Sequence, residues 1–284
     1  MESTGPGSPS CAITTCVTEP NSPDGAEPVF DQRAATYSNH TWHIRYAERL
    51  VELAAPTPGM RILDAATGTG LAAIAAARAL GPTGHVMGVD ISTGMLTRAR
   101  QAITAAGLTN IELVRADATA LPRFGNGSFD LILCSAGLLY LPVQAALREW
   151  HRLLTPGGQV GFSTMAAGFP VAARLFRDHA RRYGLTLTDP ATALGTSTRC
   201  RQVLRDAGLT AAKLVGETIR FSSHDLDHAW EAHARGPHHD AVATLTPKQT
   251  ETFQRDYTDA LADLLRTDED RLLTSEVIYA FGER

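Results

Sequence analysis

Short apolar runs alternate with amphipathic segments through the middle of the chain. The apolar runs predict five strands, at Arg61–Ala65, His85–Asp90, Ile111–Arg115, Phe129–Ser135 and residues 159–164. Between them, apolar residues recur at helical spacing and predict helices over Leu71–Leu80, over residues 93–106 and from Pro142 onward. Strands that alternate with helices predict right-handed crossovers and an α/β fold with a parallel sheet.

The second half of the chain departs from this alternation. Residues 213–221 and 275–281 predict a sixth and a seventh strand, separated by a long segment. In that segment, Thr246-Pro247-Lys248-Gln249 has the form of a capping box with proline at the first helical position. A further helix is predicted over residues 171–183. We therefore expect residues 165–196 and 222–274 to be helical cap insertions.

The first 56 residues divide into two segments of different composition. Residues 1–27 are rich in Ser, Thr, Pro and Gly and carry few large apolar side chains, which predicts a disordered tail. Residues 28–56 predict helices, with Ile44, Leu50 and Val51 on one face. Residues 28–284 are accordingly expected to form one domain.

Composition narrows the classes of function. The net charge is −4, with acidic and basic residues interspersed, so neither a nucleic-acid surface nor a polybasic membrane helix is indicated. No apolar run approaches the roughly 20 residues needed to span a bilayer, and the N-terminus lacks the features of a secretory signal. The four cysteines follow no zinc or redox spacing. These features predict a cytoplasmic protein with a small-molecule partner.

The sharpest motif is Asp64-Ala65-Ala66-Thr67-Gly68-Thr69-Gly70, at the junction of a strand and a helix. Its glycines also suit a dinucleotide enzyme. Asp64, however, would repel a pyrophosphate and favours a cationic ligand such as S-adenosylmethionine, whose ammonium and sulfonium groups are positive.

Three further strand ends carry polar candidates. Asp90 ends the second strand, where a carboxylate can accept hydrogen bonds from ribose hydroxyls. Asp117 follows the third strand and can accept from an adenine amine. Ser135 ends the fourth strand, near the switch point where ligands bind in such sheets.

Taken together, these motifs resemble the class I S-adenosylmethionine-dependent methyltransferases of the ubiquinone/menaquinone-biosynthesis-like group. The matching pieces are Arg61-Ile62-Leu63-Asp64-Ala65-Ala66-Thr67-Gly68-Thr69-Gly70, Gly88-Val89-Asp90-Ile91-Ser92, Ala116-Asp117-Ala118, Phe129-Asp130-Leu131-Ile132 and Arg152-Leu153-Leu154-Thr155-Pro156-Gly157-Gly158. The resemblance implies a Rossmann-like seven-stranded sheet, mostly parallel with an antiparallel last strand, and S-adenosylmethionine as the cofactor. Ala66 departs from the family, many of whose members carry glycine there.

The resemblance also implies that an aromatic residue, here Tyr37, closes over the methionine end of the cofactor. The full set of expected cofactor contacts is Tyr37, Asp64, Ala65, Ala66, Gly68, Gly70, Asp90, Ile91, Met95, Asp117, Ala118 and Ser135.

Candidates for catalysis and acceptor binding are less specific. His40 and His43 flank Trp42 and are candidate general bases, needed only where the acceptor is a hydroxyl or an amine. The candidate substrate residues are Tyr140, Trp230, His238 and His239. His224 and His228 have the spacing of metal ligands on a helix but no Cys or Glu partners, so no metal is expected.

The predicted function is methyl transfer to a small organic acceptor, such as a secondary metabolite or a quinone-like compound. A cyclase or scaffold that binds S-adenosylmethionine without methylating is the main alternative. An NAD-dependent reductase is disfavoured by Asp64 and by the absence of a Tyr-x-x-x-Lys pair. Residues 222–274 are expected to wall the acceptor pocket, with a homodimer interface as their alternative role.

Overall fold

A seven-stranded mixed sheet forms the centre of the computed structural model, which describes residues 30–31, 41–236 and 238–284. The strand order is β3-β2-β1-β4-β5-β7-β6. The strands are β1 (Arg61–Ala65), β2 (His85–Asp90), β3 (Ile111–Arg115), β4 (Phe129–Ser135), β5 (Leu154–Met165), β6 (Thr210–Arg220) and β7 (Thr274–Glu283). β7 runs antiparallel to both of its neighbours, whereas the pairs among β1 to β5 are parallel. The predicted fold class is confirmed.

The central strands are buried on both faces, which explains why they are almost continuously apolar in sequence. On β1, Ile62 and Leu63 point to opposite faces and belong to different apolar clusters. One face is covered by α1 (Thr41–Ala54) and α2 (Leu71–Leu80), and the other by α4 (Val143–Leu153) and α6 (Ser197–Asp206). α3 (Thr93–Ala105) connects β2 to β3.

A second layer is made of helices and has an apolar core that is separate from the two apolar clusters of the sheet. We call this layer the cap. It consists of α5 (Val171–Ala180), α7 (Ala229–Ala234), α8 (His239–Ala243), α9 (Pro247–Thr267) and α10 (Glu269–Leu273). Phe176, Phe253 and Tyr257 are fully buried at its centre. The Thr246 hydroxyl accepts from the backbone of Gln249 at the start of α9, as the capping-box pattern predicts.

The observed elements differ from the predicted ones mainly at their ends. β5 begins at Leu154 rather than at residue 159, because Leu154 pairs with Phe129 before a register shift in the β4–β5 ladder. α5 ends at Ala180, and a single 3-10 turn continues it over Arg181–Tyr183. Pro142 is the N-cap of α4 rather than its first helical residue. The predicted tail, residues 1–27, lies outside the described residues.

Candidate active site

The loop between β1 and α2 is a tight turn with three left-handed residues. Ala66, Gly68 and Gly70 have φ angles of +54°, +55° and +84°. A Cβ at Gly70 would lie 3.2 Å from the Cβ of Ala99 on α3, so a side chain there would crowd α3 in addition to straining the backbone. A Cβ at Gly68 would meet no atom within 4 Å, which leaves the outer side of the loop open. Ala66 adopts its positive φ at a cost of about 1 kcal/mol.

Asp64 is a buried carboxylate with one unsatisfied oxygen. Its Oδ2 accepts hydrogen bonds from Thr67 Oγ1 at 2.5 Å and from the backbone N of Ala73 at 2.9 Å. Its Oδ1 is buried and has no hydrogen-bond partner among the described residues. Burial raises the pKa of Asp64 to about 7. A buried acceptor without a donor indicates that a ligand group completes this site.

Asp90 connects the end of β2 to the glycine loop. Its Oδ2 accepts from the backbone N of Gly68 at 2.8 Å, and its Oδ1 accepts from that of Ser92 at 2.9 Å. Burial raises the pKa of Asp90 as well. Asp31 joins this edge from the N-terminal segment, because its Oδ1 accepts from Ser92 Oγ and from the backbone N of Gly94.

The remaining predicted cofactor contacts are spread along the same sheet edge. Asp117 uses Oδ1 within its own loop, where it accepts from the backbone N and the hydroxyl of Thr119, each at 2.8 Å. Ala118 is buried, and its carbonyl accepts from Trp150 Nε1 at 2.8 Å. Met95 is buried at the start of α3, whereas Ile91 and Ser135 are half-buried. Tyr37 lies outside the described residues.

Two cavities adjoin at the carboxyl edge of the sheet. The smaller, of about 30 Å³, is lined by Asp64, Gly68 and Ser135 among others. The larger, of about 200 Å³, lies between the sheet edge and the cap. His43 and Ala136 line both cavities. The two cavities therefore share a wall.

The larger cavity contains two of the four predicted substrate residues. Tyr140 and His238 line it, the first from the sheet edge and the second from the cap. Trp230 lies outside the lining, because its ring packs inside the cap against Phe176 and Phe253, with centroids 5.5 and 5.0 Å away. His239 also lies outside the lining and contacts Asp240 at the surface.

Of the two candidate bases, the structure describes His43. It is 8% exposed, lies on α1 and packs against Trp42 with ring centroids 3.7 Å apart. His40 is outside the described residues. His224 is fully exposed to solvent and contacts Asp227, which raises its pKa. Within the described ranges, His, Cys, Asp and Glu do not gather in a group of three that could hold a metal ion.

The sequence analysis missed an ion pair in the cavity wall. Arg177 Nη2 donates to Asp189 Oδ2 at 2.8 Å, and the Arg177 side chain is only 8% exposed. A signal was present in the sequence. Arg177 stands beside Phe176 and three residues before Ala180, so it interrupts the apolar face of α5.

Known methyltransferases are similar to the part of the chain that contains the sheet edge. Residues 62–158 match the family described as "Methyltransferase domain". A demethylmenaquinone methyltransferase of Listeria monocytogenes is 38% identical over 119 residues, which cover 42% of this chain and 50% of that protein. The aklanonic acid methyltransferase of a Streptomyces species is 36% identical over 138 residues, which cover 48% of this chain and 62% of that protein. The chain thus spans between half and two thirds of the length of these relatives.

Solved structures share the fold over most of the chain. The YcgJ protein of a Bacillus species superposes with a TM-score of 0.55 at 18% identity, covering 84% of this chain and 98% of that one. The 4+2 cyclase SpnF superposes with a TM-score of 0.54 at 21% identity, covering 84% of this chain and 80% of that one. In the described part of the chain, no helix is both long and apolar enough to cross a membrane.

Proposed function

We propose that this chain transfers the methyl group of S-adenosylmethionine to a small organic acceptor, since residues 62–158 match the family described as "Methyltransferase domain". The observation that carries the proposal is the pair of adjoining cavities with His43 and Ala136 in the wall of both. Methyl transfer requires the acceptor atom and the methyl group in line, and two abutting sites supply that arrangement.

The residues at the sheet edge fit the cofactor. The unsatisfied Oδ1 of Asp64 offers an acceptor for an ammonium group, and a cation there favours the ionised carboxylate. Asp90 fixes the glycine loop through Gly68 and is the proposed acceptor for the ribose hydroxyls. When bound, S-adenosylmethionine supplies an electrophilic methyl group on its sulfonium. Tyr37, Ile91, Met95, Asp117, Ala118 and Ser135 are the further proposed contacts.

The cap and His43 have separate tasks in this proposal. The cap encloses the acceptor and keeps water away from the reacting groups. His43 lies where the cavities meet and is the proposed general base for a hydroxyl or amine acceptor. The similarity to methyltransferases of demethylmenaquinone and aklanonic acid supports an oxygenated, ring-containing acceptor for this chain.

A cyclase is the second candidate, and one observation favours it. The cyclase SpnF has the same fold, so an enclosed cavity beside this sheet edge also suits cyclisation without methyl transfer. The two functions differ in whether label from the methyl group reaches the product.

The test uses S-adenosylmethionine labelled at the methyl group and a panel of hydroxylated naphthoquinones and anthraquinones. We expect label in an organic product and stoichiometric release of S-adenosylhomocysteine. We expect His43→Gln to lower kcat by about 10²- to 10⁴-fold for a hydroxyl acceptor, the usual contribution of a general base. His224→Gln, an exposed histidine of the segment that leads into the cap, is the matched control and leaves kcat unchanged. Failure of the protein to bind S-adenosylhomocysteine would overturn the proposal.

We also propose that residues 28–284 are sufficient for cofactor binding. The described cofactor contacts all lie at or after Asp31, which joins the N-terminal segment to Ser92 and Gly94. A chain that starts at residue 28 is expected to bind S-adenosylhomocysteine as the full chain does. Loss of binding, measured by calorimetry, would show that residues 1–27 contribute to the site.

A further inference from the structure

One wall of the larger cavity carries a cluster of polar side chains that methyl transfer itself does not use. Arg177 comes from α5, Asp189 from the turn before Pro190–Ala193, and His238 from the start of α8. All three line the cavity, whose other walls are mainly apolar, with Met165, Phe169 and Leu226 among them.

The ion pair in this cluster leaves most of the Arg177 hydrogen-bond donors unused, whereas both oxygens of Asp189 already accept hydrogen bonds. Asp189 Oδ2 accepts from Arg177 Nη2 and from the backbone N of Gly168, and Asp189 Oδ1 accepts from that of Ala191. The Arg177 guanidinium has five N–H groups. Its bond to Asp189 is the one it makes within the described part of the chain, so most of its donors remain available to a ligand.

His238 stands next to this guanidinium as a neutral side chain. Its ring stacks on Phe176, with centroids 5.9 Å apart and planes 11° from parallel. Burial, reinforced by the charge of Arg177, lowers the pKa of His238 to about 4. At neutral pH the ring is uncharged, so it offers one N–H donor and one acceptor nitrogen and does not repel the guanidinium.

The other carboxylate in the cavity wall is already engaged. Asp225 Oδ2 accepts from the backbone N and the hydroxyl of Ser222 in the cap of a short 3-10 turn. The cavity wall as a whole therefore carries no surplus of positive charge. A ligand oxygen is attracted here by directed donors rather than by net charge.

Cavity volume limits the size of the ligand. A cavity of about 150 Å³ holds benzene, and the larger cavity here has a volume of about 200 Å³. One substituted ring or one edge of a fused ring system fits this space, between apolar walls that suit a flat molecule.

We propose that Arg177, supported by Asp189 and His238, binds a carbonyl or carboxylate oxygen on a flat, ring-containing acceptor, and so selects which small molecule is methylated. This inference rests on the proposed function, because it names the acceptor class of that site. Asp189 holds the guanidinium in place, and the unused N–H groups contact the ligand oxygen. An ammonium group at the same place meets the like charge of the Arg177 guanidinium, which disfavours its binding.

The experiment measures binding of four naphthalene probes to the full chain by equilibrium dialysis, with and without S-adenosylhomocysteine. The probes are 1-acetonaphthone, 1-naphthoate, 1-methylnaphthalene and 1-naphthylmethylammonium. We expect the ketone or the carboxylate to bind at least about tenfold more tightly than the methyl compound, as for a hydrogen bond to a charged group. Tighter binding of the carboxylate identifies an anionic acceptor, and equal or tighter binding of the ketone identifies a neutral carbonyl.

Three variants assign this preference to Arg177. Arg177→Met removes the donors and is expected to abolish the preference, whereas Arg174→Met, an exposed arginine one turn earlier on α5, keeps it. Arg177→Lys keeps a cation beside Asp189 but offers fewer directed donors, so it folds and binds with a reduced preference. An unchanged preference in the Lys variant and in any folded Met variant would overturn the proposal. Equal binding of all four probes to the unaltered chain, or tightest binding of the ammonium probe, would do so as well.

The same samples separate this inference from the proposed function. If S-adenosylhomocysteine fails to bind while the probe preference follows Arg177, the methyltransferase proposal fails and the oxygen-binding site stands. If S-adenosylhomocysteine binds and the preference is independent of Arg177, the site inference fails alone.

Discussion

The cofactor edge and the cap are built from different kinds of sequence information. At the cofactor edge, Asp64, Gly68 and Asp90 belong to short motifs. Asp90 accepts from the backbone N of Gly68 across the β1–β2 pair, and Asp64 accepts from Ala73 just beyond its own motif. The polar wall of the larger cavity is assembled from α5, the turn at Asp189 and the start of α8, and α8 lies far from the other two along the chain. The conformation of the cofactor edge is therefore specified by local motifs, whereas that of the cavity wall depends on tertiary packing. Substitutions in the cavity wall can change the ligand it binds without changing the sheet.

The largest expected effect comes from a substitution in the apolar core of the cap, which tests whether the cap and the sheet are independently stable. Phe176→Ala removes a fully buried ring from the centre of the cap, and we expect it to lower the free energy of unfolding of the cap by about 3–5 kcal/mol. Hydrogen exchange is expected to accelerate in α5 and α9, while β1, β2 and β4 stay protected and S-adenosylhomocysteine still binds.

Phe162→Ala is the matched control for that experiment. Phe162 is equally buried but belongs to the apolar cluster of the sheet, so its removal is expected to lower protection in the strands. Equal loss of protection throughout the chain in both variants would mean that cap and sheet unfold as one unit, and the comparison would fail.

A second prediction concerns the cofactor edge alone. Asp90→Ala removes the acceptor that holds Gly68 and Ser92, together with the proposed ribose contact. We expect affinity for S-adenosylhomocysteine to fall by about 1.5–3 kcal/mol, the range for hydrogen bonds to charged groups. Asp189→Asn in the cavity wall serves as the control and leaves that affinity unchanged in calorimetry. A full loss of affinity in Asp189→Asn would show that the two regions are coupled.

The two regions also differ in how much of their structure the sequence predicts. The sheet was predictable because its strands are buried on both faces and are therefore apolar runs in the sequence. The positions of Asp64 and Asp90 at the sheet edge were predictable because each lies at the carboxyl end of such a strand. The capping box of α9 was predictable for the same local reason. Arg177 was missed, since an arginine on an amphipathic helix is ordinarily exposed and only packing buries it. Trp230 and His239 were assigned to the pocket on residue type, but which side of a cap helix faces a cavity is decided by tertiary contacts.

A third prediction uses the protonation of Asp64. In the ligand-free protein the pKa of Asp64 is raised to about 7, so the native state holds a proton that an unfolded chain releases near pH 4. Stability of the ligand-free protein therefore falls as pH rises from about 4 to about 7. A cationic ligand binds the ionised form, so its affinity changes in the opposite direction and rises with pH.

Calorimetry measures that effect directly. We expect S-adenosylhomocysteine to bind roughly tenfold more tightly at pH 8 than at pH 6, which corresponds to one proton released around pH 7, or about 1.4 kcal/mol. Asp64→Asn cannot release this proton and is expected to give a flatter profile with weaker binding at pH 8. A wild-type profile that is flat between pH 6 and pH 8 would contradict the assignment of Asp64 to the cationic end of the ligand.

The smallest expected effect concerns two helix N-caps of the same kind, one at the cofactor edge and one in the cap. The Ser92 hydroxyl accepts from the backbone of Met95 at the start of α3, and the Thr246 hydroxyl accepts from that of Gln249 at the start of α9. Ser92→Ala and Thr246→Ala are each expected to lower the free energy of unfolding by about 1 kcal/mol, the usual contribution of such a cap. Only the Ser92 hydroxyl also donates to Asp31, which joins the N-terminal segment to the cofactor edge. In calorimetry, Ser92→Ala is therefore expected to weaken binding of S-adenosylhomocysteine and Thr246→Ala to leave it unchanged. Equal losses of affinity would mean that the ligand senses overall stability rather than the local geometry of the cofactor edge.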